Sequence, residues 1–593
     1  MILQIIQQIL GVALFLLPGI LLSYIIFSKI DIIKRAVYSI VLAISILTIL
    51  GAFLYLLNLL TSINIILSLI FLILLFLLIL KLGNKRHKTE FNKDIWYLIF
   101  FSLVGTAWRL WFLNSVKSFG DAYGYATKFI GKAVPNLGFY TGIATDRASY
   151  IGLKASESIF RSFSLNITYL NIFLITFIFL GFIYLVFSEY RNRKLAYLGV
   201  ALMALGPIEL FHSTLSITGH SLSYLSLFPL FLLFKSEEKK IFWVALLLAT
   251  AMMFTYYTTS MVMLLASVCF IIALFIKELI KTKNLARTLR NSLTNKKILL
   301  FLLIITILAS YVYLFSNMLT FSVKEAQDFS TIKKTTSSIV KKTTIKTDSF
   351  PTDSFPNKYK DPTFLGFSAI GWQSIFFLLC GLTFIFYIIR KRNFSENNID
   401  LLLCLIPVSI ISYGFLHVDY QTRIFDYFAF FGLLVINIPK KYFKIFFILS
   451  FIFILISGFY VVKDRKMFFE KSEEEIEAAL WISNSLQGKV FSDQVFINHL
   501  ISNGCYNVTG ARDDDPLVYN LFYQNDPSVF LETIEILNVN FNVDYIALTK
   551  RMQEQYILML NFPQKSLITT ELYEENLIKV YDNGDVKVYE AKR

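Results

Sequence analysis

The chain has 593 residues, 56% of them hydrophobic and 59 of them phenylalanine, with a mean hydropathy of +0.61, which argues against a soluble globular protein and for a polytopic membrane protein. A formal net charge of +15 would point to nucleic acid in a soluble chain, but in a membrane protein basic residues gather in cytoplasmic loops, so no nucleic-acid partner is expected. Cys269, Cys380 and Cys404 sit in apolar runs and Cys505 lies near the C-terminus, which excludes a disulfide framework or a zinc motif.

Runs long enough to cross a bilayer fall near 3–27, 37–60, 63–80, 95–113, 167–187, 195–210, 221–234, 241–256, 260–276, 298–318, 364–389, 400–416, 424–438 and 443–462, about 14 spans in all. No basic residue precedes the first run and no small-residue cleavage site follows it, so it reads as a retained span. The pair around "TYYTTS" (255–260) reads equally as a broken or re-entrant element.

Alternating the loops tests this count. "SKIDIIKR", "KLGNKRHKTEFNKD", "SEYRNRK", "KSEEKK", "KELIKTKNLARTLRNSLTNKK", "RKRNFSENNID" and "PKKYFK" all fall on one side, which the positive-inside rule makes cytoplasmic. The other side receives the loops 114–166 and 319–363, "FHSTLSITGH", "HVDYQTR" and the tail after 463. The expected localisation is therefore the cell membrane, multi-pass, with an extracytoplasmic C-terminal domain.

The first long outer loop opens with "SVKSFGDAYGYATKFIGKAV" (115–134). Asp121, Tyr125, Lys128 and Lys132 are spaced by four, three and four, while Ala122, Ala126, Phe129, Ile130 and Ala133 fall opposite, the pattern of an amphipathic helix lying on a membrane. Asp121 is placed to hold a carboxylate at the surface, and equally to be the N-cap of the helix it opens.

Residues 463–593 change character. "EEEIEAALWISNSL" has a helical apolar period, "KVFSD" and "VDYIALT" read as buried strands, and "LIKVYDNGDVKVYEA" is a hairpin around Asn-Gly, together a small α/β module. "RDDDP" (512–516) reads as a solvated turn, and "NVT" (507–509) matches a glycosylation sequon.

Polar residues collect at the outer ends of the spans: Glu209, His212 and His220; His417, Asp419 and Arg423 in "HVDYQTR"; and Asp121, Asp146 and Arg147 in the first long loop. Ionisable groups at the edge of an apolar bundle are costly without partners and so are functional candidates, although a single histidine also tolerates a half-wet site without any task.

A span rising from the cytoplasm, a long outer loop with an early acidic residue and two amphipathic segments ("DAYGYATKFIGKA" and "SYIGLKASESIFRSF"), many further spans and an outer C-terminal domain resemble the GT-C class of membrane glycosyltransferases. That class includes oligosaccharyltransferases, protein O-mannosyltransferases and aminoarabinose transferases. The resemblance implies an N-terminal three-span addition at 1–94, a GT-C-like membrane domain at 95–462 and an extracytoplasmic α/β domain at 463–593. It implies a catalytic carboxylate at Asp121, and a donor-phosphate site at Arg423 with Arg147 and Lys128. Metal or acceptor contacts would fall at Glu209, His212, His220, His417 and Asp419. Members commonly carry a paired acidic motif in the first outer loop where this chain has only "GDA", which weakens the case for a divalent cation, magnesium or manganese.

The implied activity is transfer of a sugar from a polyprenyl-(pyro)phosphate donor in the bilayer to a glycan, lipid or protein acceptor. Two alternatives stand beside it. A transporter or flippase for an envelope lipid or polymer would show internal repeats and charges at mid-membrane. A catalytically silent envelope protein would keep the fold without the chemistry.

Overall fold

In this computed structural model the described residues are 2–57, 59, 61–83, 88–116, 167–205, 219–236, 238–253, 257–314, isolated positions between 382 and 452, and most of 472–591. The chain divides into two units. Unit 1 comprises Met1–Trp111, Val134–Ser322 and Phe367–Val461, and unit 2 comprises Phe112–Ala133, Val323–Gly366 and Val462–Arg593.

The elements up to residue 314 are, in order, α1 (Ile2–Ile26), β1 (Lys29–Asp31), α2 (Ile32–Leu56), α3 (Ser62–Leu82), β2 (Lys88–Glu90), α4 (Asp94–Val116), α5 (Ile167–Tyr190), α6 (Arg193–Ala204), α7 (Gly219–Lys235), α8 (Ile241–Met253), α9 (Tyr257–Thr282), α10 (Leu285–Thr294) and α11 (Lys296–Leu314). Five helices among the described residues are long and apolar enough to cross a membrane, or six if the bent pair α10–α11 is one span. Much of the 14-span count falls outside the described residues. On α3 the side chains of Ile63, Leu67, Ile70, Phe71, Leu74, Leu78 and Leu82 are all exposed. An apolar surface so continuous is stable only in lipid or against another protein.

The core is ordered by aromatic contacts. Phe27 stacks on Tyr38 of α2 at 5.4 Å, Tyr38 meets Phe182 of α5 at 6.5 Å, and Phe182 stacks on Phe228 of α7 at 5.5 Å. Phe231 of α7 then meets Phe270 of α9 edge-on at 5.0 Å, and Phe270 stacks on Phe301 of α11 at 5.5 Å. Pairs of this kind add about 0.5–1.5 kcal/mol each beyond area burial. Small residues let α1 approach α2: a Cβ on Gly19 would lie 2.1 Å from the Ser39 carbonyl oxygen and 2.4 Å from the Ala43 nitrogen, a small-residue contact of the kind that brings membrane helices together.

Ion pairs gather at one end of unit 1. Lys34 at the start of α2 pairs with Glu189 at the end of α5 (2.9 Å) and with Glu238 after α7 (3.7 Å). Lys235 at the end of α7 and Lys277 near the end of α9 both reach Asp400, at 2.6 and 2.7 Å, and Lys297 at the start of α11 donates to the Phe234 carbonyl at 2.8 Å. In the loops, β1 and β2 pair in parallel, Lys29 with Lys88 through Asp31 with Glu90. Six of the basic loops that alternation assigns to one side thus meet at one end of the bundle through their described residues. One part of that reading is corrected. The segment 277–297 is not a plain basic loop but contains α10, whose leucines recur every fourth residue opposite charged and polar side chains, the period of a short amphipathic helix.

Unit 2 contains α12 (Glu473–Ser485), β3 (Val490–Ser492), α13 (Gln494–Ser502), β4 (Val508–Gly510), α14 (Pro527–Phe541), β5 (Tyr545–Thr549), α15 (Lys550–Glu554), β6 (Tyr556–Met559), β7 (Phe562–Lys565), α16 (Thr570–Asn576), β8 (Ile578–Asp582) and β9 (Val586–Glu590). Five strands form a mixed sheet in the order β4-β3-β5-β9-β8, with β4, β3 and β5 parallel and β9 and β8 antiparallel. Alternate side chains feed two cores. Phe491, Ile546, Leu548 and Tyr589 pack with Phe530, Ile534 and Leu537 of α14 and Tyr573 of α16. Val490, Ala547, Val586 and Val588 pack with Ala478, Ala479 and Ile482 of α12 and Phe496 and Leu500 of α13. The result is an α/β/α layering. The hairpin turns at Asn583-Gly584, where Asn583 Oδ1 accepts from the Val586 nitrogen.

Candidate functional site

Three helices of unit 1 form a frame whose two ends are fixed by different chemistry. At the ion-pair end, Asp94 opens α4 and is buried, with its nitrogen donating to Asn92 Oδ1 at 3.0 Å. Its carboxylate accepts from the hydroxyl of Tyr184 on α5 and from Nε and Nη2 of Arg193, the first residue of α6. One turn further, the Tyr97 hydroxyl donates to the Tyr197 carbonyl at 2.8 Å. α4 and α6 therefore start together and run parallel, and α5 runs against them.

Along α4 the hydroxyls of Ser102 and Thr106 are satisfied inside the apolar segment by donating to the Leu98 and Ser102 carbonyls, each at 2.7 Å. About 22 Å from Asp94, at 1.5 Å per residue, stands Arg109, wholly buried. Its Nη1 donates at 3.0 Å to the Gly105 carbonyl one turn back, and at 3.0 Å to the carbonyl of Ala204, the last residue of α6. The last carbonyls of a helix lack partners within it and carry the negative end of the dipole, so a guanidinium there is favoured twice. The approach needs a glycine: a Cβ on Gly105 would lie 2.9 Å from both the Ala204 oxygen and Arg109 Nη1, and 3.1 Å from Thr176 Cγ2 on α5.

The sequence reading passed over Arg109, although it is the only charged residue in the apolar run 95–113. That isolation is itself the signal, because an ionisable residue inside a span marks a functional candidate.

The end of the frame away from the ion pairs is where the candidate-bearing segments attach. The segment with Asp121, Lys128, Asp146 and Arg147 joins α4 to α5, and the segment with Glu209 and His212 joins α6 to α7. All six of these residues lie outside the described residues, as do His417, Asp419 and Arg423. His220 is the second residue of α7, at the end of that helix opposite Lys235. No group of three or more His, Cys, Asp and Glu that could hold a metal occurs among the described residues. Of the residues expected to serve a cation, His220 lies on the described α7, and Glu209, His212, His417 and Asp419 lie outside the described residues.

A second charged cluster lies within unit 2. Arg551 follows β5 and Asp493 follows β3, and the two form a two-pronged ion pair with Nη1–Oδ2 at 2.7 Å and Nη2–Oδ1 at 2.9 Å. Glu475 of α12 lies 3.4 Å from His499 Nε2 and 3.6 Å from Arg551 Nε, and all four residues are buried. Burial alone would raise the Glu475 carboxyl; hydrogen bonding to His499 and the Arg551 charge outweigh it and hold the group below the ordinary carboxylate range. Ligands of α/β sheets enter at the carboxyl ends of the strands, and here that position on β3 and β5 is filled by protein charges. The cluster secures α12, α13 and α15 to the sheet.

No protein-family model matches the chain, and no curated protein matches it. Solved structures similar to it include the archaeal oligosaccharyltransferase AglB from Archaeoglobus fulgidus in complex with an inhibitory peptide and a dolichol-phosphate, 11% identical over 77% of this chain and 69% of that one, with a TM-score of 0.47. The Archaeoglobus fulgidus oligosaccharyltransferase in its apo form is 12% identical over 78% of this chain and 70% of that one, with a TM-score of 0.46.

Proposed function

We propose that the protein is a membrane glycosyltransferase, moving a sugar from a polyprenyl-phosphate or pyrophosphate donor to a glycan, lipid or protein acceptor on the extracytoplasmic side. The observation that supports this most is the Arg109 contact. It fixes the end of α6 to α4 at the bundle end opposite the basic loops, and the segments bearing Asp121, Asp146, Glu209 and His212 follow or precede those helix ends in the chain. A transferase using a donor with a lipid tail needs its polar groups at one edge of an apolar bundle, because the tail stays in the bilayer while the reacting carbon meets a water-borne acceptor.

In this reading Asp121 is the general base. As the acceptor hydroxyl oxygen forms its bond to the anomeric carbon, its proton passes to the Asp121 carboxylate, and the bond from that carbon to the phosphate oxygen breaks with its electron pair on the phosphate. The leaving phosphate gains charge, which the Arg423 guanidinium matches with two parallel hydrogen bonds, assisted by Arg147 and Lys128. Glu209, His212, His220, His417 and Asp419 would orient the acceptor or serve a divalent cation. The 95–462 segment would carry the chemistry, and 463–593 would be the extracytoplasmic α/β domain. Arg423→Lys tests the phosphate role: a point charge cannot replace the planar fork, so donor KM should rise with protein level unchanged, and an unaltered KM would refute the clamp.

A transporter of an envelope lipid gains one observation, the buried charge of Arg109 inside a span. That charge is engaged with the carbonyls of two helices, a fixing role that favours a rigid frame over a moving gate. Flipping of a labelled polyprenyl phosphate by purified protein without sugar transfer would favour the transporter.

A further inference from the structure

α10 is divided lengthwise into three sectors. One is polar and faces α9: Thr288 and Ser292 are buried, Thr288 Oγ1 meets Thr282 Oγ1 at 2.5 Å, and Asn291 donates to Glu278 Oε1 at 2.6 Å. The next is apolar and bare, with Leu285, Leu289 and Leu293 exposed by 58%, 50% and 76%. At four-residue spacing these leucines form one stripe. The third holds Arg287 and Arg290, both exposed, about 130° around the helix from the leucines at 100° per residue. Lys281, Lys283 and Lys296 flank the helix and are also exposed, and Glu278 is the only acid between 277 and 297.

Position joins composition. α10 lies between α9, itself a candidate span, and α11, and it bends from α11 by 66°. A helix so inclined at the end of a span turns toward the membrane plane. Its start is capped by Asn284, whose side chain accepts from the Arg287 nitrogen at 3.1 Å, so it is a helix in its own right and not a frayed end of α11.

We propose that α10 is an interfacial helix binding anionic phospholipid of the leaflet at the basic end of the bundle. Its three leucines enter the acyl boundary, and Arg287 and Arg290, with Lys281, Lys283 and Lys296, hold the phosphates. A bare leucine stripe beside a cationic sector is the composition of a surface-lying helix. The occupant is anionic because five exposed cations stand against Glu278, which Asn291 engages, and Glu396, which pairs with Lys277 and is reached by the Lys281 charge, and a neutral headgroup would leave the surplus charge unmatched. The hydrogen bonds to α9 hold the helix in one rotation, which turns a general affinity for membranes into a fixed headgroup site.

The test uses the full chain, freed of its own cysteines, in bilayer discs of phosphatidylcholine alone or mixed with phosphatidylglycerol. Nitroxide labels at Leu289→Cys and Thr294→Cys report collisions with oxygen and with a water-soluble nickel chelate. The Leu289 site should favour oxygen and the Thr294 site nickel. In the mixed discs, Arg287→Gln and Arg290→Gln should each lower enrichment of phosphatidylglycerol around the protein by about fivefold. Nickel access at both labels would place the helix in water and overturn the proposal. So would label-to-label broadening at Leu289, which would mean a second copy on the stripe, or enrichment unchanged in the glutamine variants.

Discussion

Arg109 on α4 donates a 3.0 Å hydrogen bond to the carbonyl oxygen of Ala204, the last residue of α6. Fifteen residues earlier on α4, Asp94 holds the first residue of α6, Arg193. Two parallel helices are thus fixed at both ends, and they differ in length between the fixed points. The span from Asp94 to Arg109 covers about 22 Å and that from Arg193 to Ala204 about 16 Å at 1.5 Å per residue, so α6 is met at its end by a side chain reaching over from further along α4.

Arg109→Met should remove the donor and leave the terminal carbonyl of α6 buried without it, at a cost of about 1–3 kcal/mol. Hydrogen exchange in detergent or discs should show faster exchange confined to the last turn of α6 and the neighbouring part of α4. Unchanged protection there would mean the contact carries no stability.

Gly105→Val should fail for a steric reason. Its Cβ would fall 2.9 Å from the Ala204 oxygen, and overpacking of this kind costs about 1–3 kcal/mol. A lowered Tm with sugar transfer lost in proportion to folded protein fits this account, and a Tm equal to that of the parent chain does not.

In unit 2, Arg551→Ala leaves Asp493 and Glu475 buried without their cation. Breaking a buried pair from one side costs about 3–5 kcal/mol, so residues 473–591 should become protease-sensitive within an otherwise intact chain. Resistance equal to the parent would show that the cluster is dispensable.

Acid should reach the same cluster through Glu475. Its folded pKa lies below the ordinary value of 4.5, so the stability it lends is fully present above about 4.5 and is lost as pH falls through the lowered value. Exchange protection of the sheet should hold from neutral pH down to that point and then decline, and Glu475→Gln should remove part of the decline. An identical acid profile in the variant would contradict this assignment.

How far the fold was legible depended on what each segment asks of its sequence. Helices such as α2 and α5 were readable because an apolar run of bilayer length has few other solutions, and the shared end of the basic loops followed from charge alone. The hairpin at Asn583-Gly584 announced itself through its turn residues. α10 is too short and too charged to read as a span, and only the four-residue spacing of its leucines marks it as a helix. The two short strands β1 and β2 were not legible, since three-residue pairing leaves no periodic trace. Glu475 stands third after Ser472, the spacing of a capping box, and the Ser472 side chain does accept from the Glu475 nitrogen at 3.0 Å. Its carboxylate, however, turns to His499 and Arg551, a long-range choice that local spacing cannot express. The candidate site was legible as residue types at span ends and as one amphipathic face at Asp121, because the short polar segments carrying Glu209 and Arg423 have no apolar period to place them.

Orientation has its own check. Impermeant thiol reagent applied to intact cells should label a cysteine introduced at Ser566 and spare one introduced at Lys283. The reverse pattern would invert the assignment of the basic end to the cytoplasm.

The transferase reading is tested most directly by following labelled sugar from a polyprenyl-linked donor in membranes to any acceptor, with the intact protein and with Asp121→Asn. The variant keeps the size and much of the capping ability of aspartate but cannot take the proton. The account predicts transfer by the parent chain and its loss, by about 100-fold or more, in a variant that folds and binds donor as before. Transfer undiminished by Asp121→Asn would contradict it.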